Sequence, residues 1–275
     1  MIPGVIAAQA MGLQWSPAAE ASLASWLVAD NPSNVIDDGN LAVLADKSGN
    51  SRTGVATGGQ ASNYAVLTPS NLNARTTWKR QSPSPTGSFN LSDLTFSNGL
   101  GGLTMAVVHR LASSIGTADV NVLRVNAGTG FVARSMIGRG SYGSNYVYAG
   151  GRRLDTDAFV SINNGADVGT DWLIIVADFD YAAGKLTLSI NGTVYSNASA
   201  FTPGSISATN SIGIGIGQRG DGPSSASALG DYAELTLFAS ALSDASRQKL
   251  EGYLAWQWGL QDSLPEGHPY KSVRP

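Results

Sequence analysis

The stretch from residue 230 to 270 constrains the fold of this chain more than any other part of its sequence. Between Gly230 and Phe238, Ala233, Leu235 and Leu237 alternate with Tyr232, Glu234, Thr236 and Phe238, the period of two that a pleated strand imposes. Ser243 and Asp244 then stand where a helix N-cap belongs, and Leu250, Tyr253, Leu254 and Trp258 fall on one helical stripe. Gly259 ends the helix at a position suited to a left-handed cap. Beyond it a tail carrying Pro265, His268 and Tyr270 is expected to fold back.

The rest of the chain is written in strands and turns. Glycine supplies 33 of the 275 residues and charged residues only 13%, the composition of a β protein with many turns. Residues 172–179 (WLIIVADF) open on a continuous apolar run, as in a central strand buried on both faces. Leu186, Leu188 and Ile190 alternate after it, and Asn191-Gly192 is a strong hairpin signal. In 103–110, Leu103, Met105 and Val107 face one way and Thr104, Ala106 and Val108 the other. Further strands are expected at 120–125, 131–137, 146–149 and 158–162. Ile212, Ile214 and Ile216 alternate with glycines, which leaves one strand face bare for a backbone or a ring to approach closely. Residues 60–102 are loop-rich, with prolines at 83 and 85, and read as a long surface excursion within one sandwich. No repeat of fixed period is present, so one domain over 15–275 is expected to follow an arm at 1–14.

Several of these words come from one family. ALSD at 241–244, EGYLAW at 251–256, WGL at 258–260, LP at 264–265 and GHPY at 267–270 resemble the closing elements of concanavalin A-like (laminin-G-like) jelly-roll modules of bacterial and phage proteins. The turn ADKSGN at 45–50 and the hairpin beginning DFD at 178 and ending NG at 192 are similar to two further signatures of those modules. The resemblance implies an all-β, two-sheet antiparallel jelly-roll sandwich with one C-terminal α-helix. The opening MIPG resembles the start of phage structural proteins. Together these imply a non-enzymatic bacteriophage virion protein, a head decoration or tail-fibre component with an outward lectin-like module. The alternatives are a glycan-binding module of a bacterial surface protein, located at the cell surface, or a glycan-degrading enzyme.

The residues themselves limit the chemistry. Glycoside hydrolysis needs two flanking carboxylates, yet the only glutamates are Glu20, Glu234, Glu251 and Glu266, none close to another in sequence. Asp178 and Asp180 share a strand face at a strand end, where turn capping is the expected role. A Ser–His–Asp triad needs a histidine. His109 alternates with apolar residues on a strand, and His268 sits in the closing tail. With two isolated histidines and no cysteine, a transition-metal site is not expected, nor are disulfides. Calcium needs only oxygen ligands, and the family resemblance makes it possible. Asp178 and Asp180 are the candidates, with Asp46 and Asp221 as further donors, although Asp46 also reads as the head of an Asx-type turn. The tripeptide Arg219-Gly220-Asp221 is read as a Gly-rich turn.

A net charge of −3 gives no electrostatic case for nucleic acid or an anionic membrane. No apolar run reaches the length of a membrane span. Ile2, Val5, Ile6, Met11 and Leu13 carry apolar surface with no charge among them, so the arm is expected to be covered by another copy of the chain or another virion protein. One patch suggests ligand contact. Arg134, Arg139, Arg152 and Arg153 interleave with Tyr142, Tyr146 and Tyr148 among Gly, Ser and Asn, the mixture that cell-surface glycans and proteins both use. The competing reading puts Tyr146 and Tyr148 in the core and leaves the arginines solvated.

Overall fold

The computed structural model describes residues 14–275 apart from 38–39, 58–64, 81–87, 94, 114–118, 128–131, 141–144, 207–210 and 217–227. Its first strands are β1 (Leu23–Val28), β2 (Val35–Asp37), β3 (Asn40–Leu44), β4 (Gly54–Thr57), β5 (Ala65–Leu72), β6 (Arg75–Arg80) and β7 (Ser88–Leu91). The middle of the chain forms β8 (Leu103–Leu111), β9 (Val120–Ala127), β10 (Val132–Arg139), β11 (Val147–Gly151) and β12 (Val160–Asn163). Last come β13 (Leu173–Asp180), β14 (Lys185–Ile190), β15 (Thr193–Asn197), β16 (Ser211–Ile216), β17 (Gly230–Phe238) and the helix α1 (Asp244–Trp258).

The strands form two antiparallel sheets. Sheet A runs β15-β14-β13-β8-β17-β6-β5, with β1 also on β17, and sheet B runs β12-β11-β10-β9-β16-β7-β4-β3-β2. Their inner faces share one core in which Leu103, Met105, Val107, Ile175, Ala177 and Leu235 of sheet A meet Leu123, Val125, Ile137, Val147 and Ala149 of sheet B. Side chains alternate across a strand, so the other face of sheet A needs its own cover. Helix α1 supplies it. Leu250, Tyr253, Leu254 and Trp258 pack on Ala106, Val108, Ile174, Val176 and Phe238.

The closing element forms as its residues dictate. Ser246 N donates to the N-cap Ser243 Oγ, and Gly259 caps the C-terminus at φ 67°. The tail folds back on the helix, with Trp256 Nε1 donating to Tyr270 O and His268 Nε2 lying 3.0 Å from Glu251 Oε2. Strand β17 departs from simple alternation. A register shift between Tyr232 and Glu234 turns Tyr232 into the inter-sheet core with Leu235 and Leu237, and leaves Ala233 under the helix. All nine of its residues are buried, because neighbouring strands, core and helix enclose it.

Residues 60–102 are a correction to the expected excursion. Strands β5 and β6 pair as a hairpin and β6 lies beside β17, while β7 joins β4 and β16 in sheet B. Trp78 anchors the segment by stacking on Tyr232 at 4.2 Å between ring centroids. The expected assembly residues Ile2, Val5, Ile6, Met11 and Leu13 lie outside the described residues. Where the described chain begins, Trp15 N donates to Pro275 O and the Trp15 ring meets Tyr253 edge-on, beside the helix.

Candidate functional site

The carboxylates of sheet A that might do chemistry, Glu234 and Asp178, lie buried beneath the helix. Glu234 is buried and accepts the indole N–H of Trp26 at 2.6 Å and of Trp258 at 2.7 Å. Burial raises its carboxyl above the usual range against these two hydrogen bonds. Asp178 is buried as well and accepts from Thr104 Oγ1 at 2.6 Å, with Arg247 of the helix 3.7 Å away. Desolvation pushes it to about 6. Arg247 also meets Asp244 and Glu251, so a chain of ionisable groups ties sheet, helix and tail together. These carboxylates hold the fold together and face no open surface.

The outer face of sheet B is built differently. On β10 and β11 the outward positions include Gly138, paired with Tyr148, and Gly150, paired with Met136. The Tyr148 ring lies where a Cβ on Gly138 would stand, and the Phe159 ring lies where a Cβ on Gly150 would stand. Glycine is required at both places, since any side chain would displace a ring. Phe159 remains 38% exposed, one of few large apolar side chains so open. Tyr148 is half-buried, and burial pushes its phenol up. Around the rings stand half-buried Arg124, which acts electrostatically on Tyr148, exposed Ser161 and Asn163, and Arg152, whose guanidinium sits 5.7 Å from the Phe159 centroid. On β16, Gly213 and Gly215 take the outward positions opposite Asn126 and Arg124. Flat rings, amides and guanidiniums over a floor of glycines can stack on a sugar face and hydrogen-bond its hydroxyls.

The structure separates the seven residues expected in this patch. Tyr148 and Arg152 belong to the outer face. Arg134 and Arg139 are corrections to both readings of the patch, being neither loop-displayed nor solvated: both are fully buried in β10. Arg134 clamps the 152–157 loop through Arg153 O and Asp155. Arg139 points between the sheets and donates to Gly169 O at 2.7 Å, and burial brings its guanidinium down to about 10. Arg153 packs along that loop, 3.9 Å from Asp157 and donating to Ser205 O. Tyr146 is half-buried at the start of β11, and Tyr142 lies outside the described residues. Phe159, Gly138, Gly150 and Arg124 were not singled out in the sequence. The rule that flags the β16 glycines applies equally to Gly138 and Gly150, and would have found them.

The aspartates that were candidates for calcium have other duties. Asp178 is engaged as described, and Asp180 Oδ1 caps the turn by accepting from Ala183 N. Asp46 accepts from Trp26 N, Ser48 N, Ser48 Oγ and Arg52 N, an Asx turn that pins β1 to the next loop. Asp221 lies outside the described residues. Among the described residues no three His, Asp or Glu side chains converge on one point. No described helix is long and apolar enough to cross a membrane. His109 is buried beside Tyr232 with Nδ1 donating to Asp231 O, and burial pulls its imidazole well below the usual range.

No family model and no curated protein matches the chain. Solved structures do. The binding domain of botulinum neurotoxin DC, solved with rat synaptotagmin II, superposes with a TM-score of 0.61 at 14% identity over 87% of this chain and 52% of that one. A botulinum neurotoxin type C structure, titled for cell entry that depends on two ganglioside molecules, gives 0.57 at 14% over 85% and 51%. The binding domain of paraclostridial mosquitocidal protein 1 gives 0.59 at 11% over 86% and 53%. This chain therefore spans about half the length of the domains it matches. At such identities the likeness speaks for architecture alone: this chain shares with those binding domains a two-sheet antiparallel jelly-roll sandwich.

Proposed function

We propose that this protein is a non-enzymatic binding module that contacts a cell-surface glycan through the outer face of sheet B. The observation that carries the reading is the pair of rings on glycines, Tyr148 on Gly138 and Phe159 on Gly150, ringed by amide, hydroxyl and guanidinium groups. The matched neurotoxin and mosquitocidal structures are titled as receptor-binding, ganglioside-dependent or binding domains, which agrees with a surface-recognition role. The non-enzymatic part rests on Glu234 and Asp178, whose carboxylates are buried in structural contacts on the opposite sheet. A glycan array probed with the purified chain tests the reading. Specific signals that Phe159→Ala and Tyr148→Ala abolish while the fold is retained are expected. Signals indifferent to both changes would move the site elsewhere.

The setting we propose is a phage virion, with a bacterial surface as the alternative. It is supported by the sequence resemblance and by the uncharged apolar arm carrying Ile2, Val5, Ile6, Met11 and Leu13. Deleting residues 1–13 should leave a folded protein that no longer self-associates or enters particles. Unchanged mass and incorporation would remove that support.

A further inference from the structure

The 152–159 loop carries an imbalance of charge that defines the ligand more narrowly. Three guanidiniums gather there, Arg134 from β10 with Arg152 and Arg153, and the loop supplies two carboxylates, Asp155 and Asp157. Arg134 Nη2 takes Asp155 at 2.5 Å and Arg153 faces Asp157 at 3.9 Å. Asp157 also accepts from Leu154 N, so its oxygens are drawn into the loop. Among the described residues Arg152 is left over. Its one hydrogen bond is from Nη1 to the Asp157 backbone carbonyl at 3.3 Å, and Nε has no partner. The same side chain is half-buried and stands over the exposed ring of Phe159. Nε is buried, so a guanidinium without a counter-ion among the described residues gains most from a planar anion that meets its terminal Nη groups.

Resting on the glycan reading above, we propose that Arg152 and Phe159 form a subsite for an acidic sugar: the carboxylate on the Arg152 fork and an apolar ring face on Phe159. A neutral sugar would leave the guanidinium unmatched, and a bare carboxylate would leave the ring uncovered. An acidic sugar satisfies both.

The test uses the full chain and an array of carboxylate-bearing glycans, each paired with its methyl ester, followed by titration of the best pair. The acid form should bind about tenfold tighter than the ester, the scale of one charge-assisted hydrogen bond, and the preference should fade at high salt. Arg152→Gln should abolish the preference of acid over ester, so that the variant binds the two forms alike. Arg152→Lys, which keeps the charge and loses the fork, should retain part of the preference. Phe159→Ala should weaken both. Equal affinity for acid and ester, or a preference that survives Arg152→Gln, overturns the acidic subsite while leaving the glycan reading intact. Loss of every glycan signal in a folded protein overturns both. Competition by polyglutamate that ignores Phe159→Ala would reassign the site to an acidic peptide.

Discussion

The two sheets of this sandwich treat their outer faces in opposite ways. Sheet A buries its outer face under α1, with Leu250, Leu254 and Trp258 on Ala106, Val108, Ile174 and Val176. Its polar atoms are matched inside that layer, as where Glu234 joins the indoles of Trp26 and Trp258. Among the described residues no such helix lies over β10–β12 of sheet B. That sheet carries rings laid on glycines and an Arg152 with donors to spare. The first arrangement maximises stability and leaves no room for a ligand. The second leaves interaction capacity unused in the free protein, which is how a binding surface differs from a core.

The comparison can be broken most forcefully on the sheet A side. Trp258→Ala removes a fully buried ring and one of the donors to a buried carboxylate, so a loss of about 3–5 kcal/mol is expected in denaturant unfolding. A loss below about 1 kcal/mol would mean that the helix is an appendage and that the two outer faces do not differ as described.

Acidity sharpens the contrast next. Asp178 is raised to about 6 and Glu234 is raised too, both by burial. A carboxyl raised in the folded state binds its proton more tightly there than in the unfolded chain, so stability falls as pH rises towards and through the folded value. On acidification from neutral pH the melting temperature should therefore climb between pH 7 and 5, by an amount equivalent to about 1–3 kcal/mol. Asp178→Asn should flatten that climb. Below about pH 4 the trend should reverse, because Asp93, Asp167 and Asp244 are lowered in the fold by hydrogen bonds and lose their stabilising charge there.

Changes on sheet B should be milder for the fold and more severe for binding. Gly150→Val drives a side chain into the Phe159 ring, and an overpacking cost of about 1–3 kcal/mol is expected with loss of glycan signal. If the variant binds as the parent does, the seated ring is not the recognition element. Smallest of all, Arg152→Gln should move stability by less than about 0.5 kcal/mol in chemical denaturation, since the fold makes little use of that guanidinium. A larger loss would make Arg152 a strut like Arg134.

Much of the architecture was legible because local chemistry and tertiary role coincide. The Ser243 cap, the Leu250–Trp258 stripe, the Gly259 stop and the Asn191-Gly192 turn each act over a few residues, and each takes its expected form. The site was harder to read. Arg134 and Arg139 look like surface cations in any window of sequence, yet strand pairing aims one at the 152–157 loop and the other between the sheets. The hairpin at 65–80 was missed because its pattern is interrupted by Pro69 and by polar residues that only β17 and Trp78 hold in place.

By itself, then, the sequence determined an all-β sandwich closed by one capped helix with a back-folded tail, since periodicity, caps and turns are properties of neighbours along the chain. Tertiary structure alone decided which carboxylates became buried struts, which glycines came to lie under rings, and which of three clustered arginines lacks a counter-ion. Those outcomes depend on register between strands far apart in sequence, and one residue of slip would send every side chain to the other face.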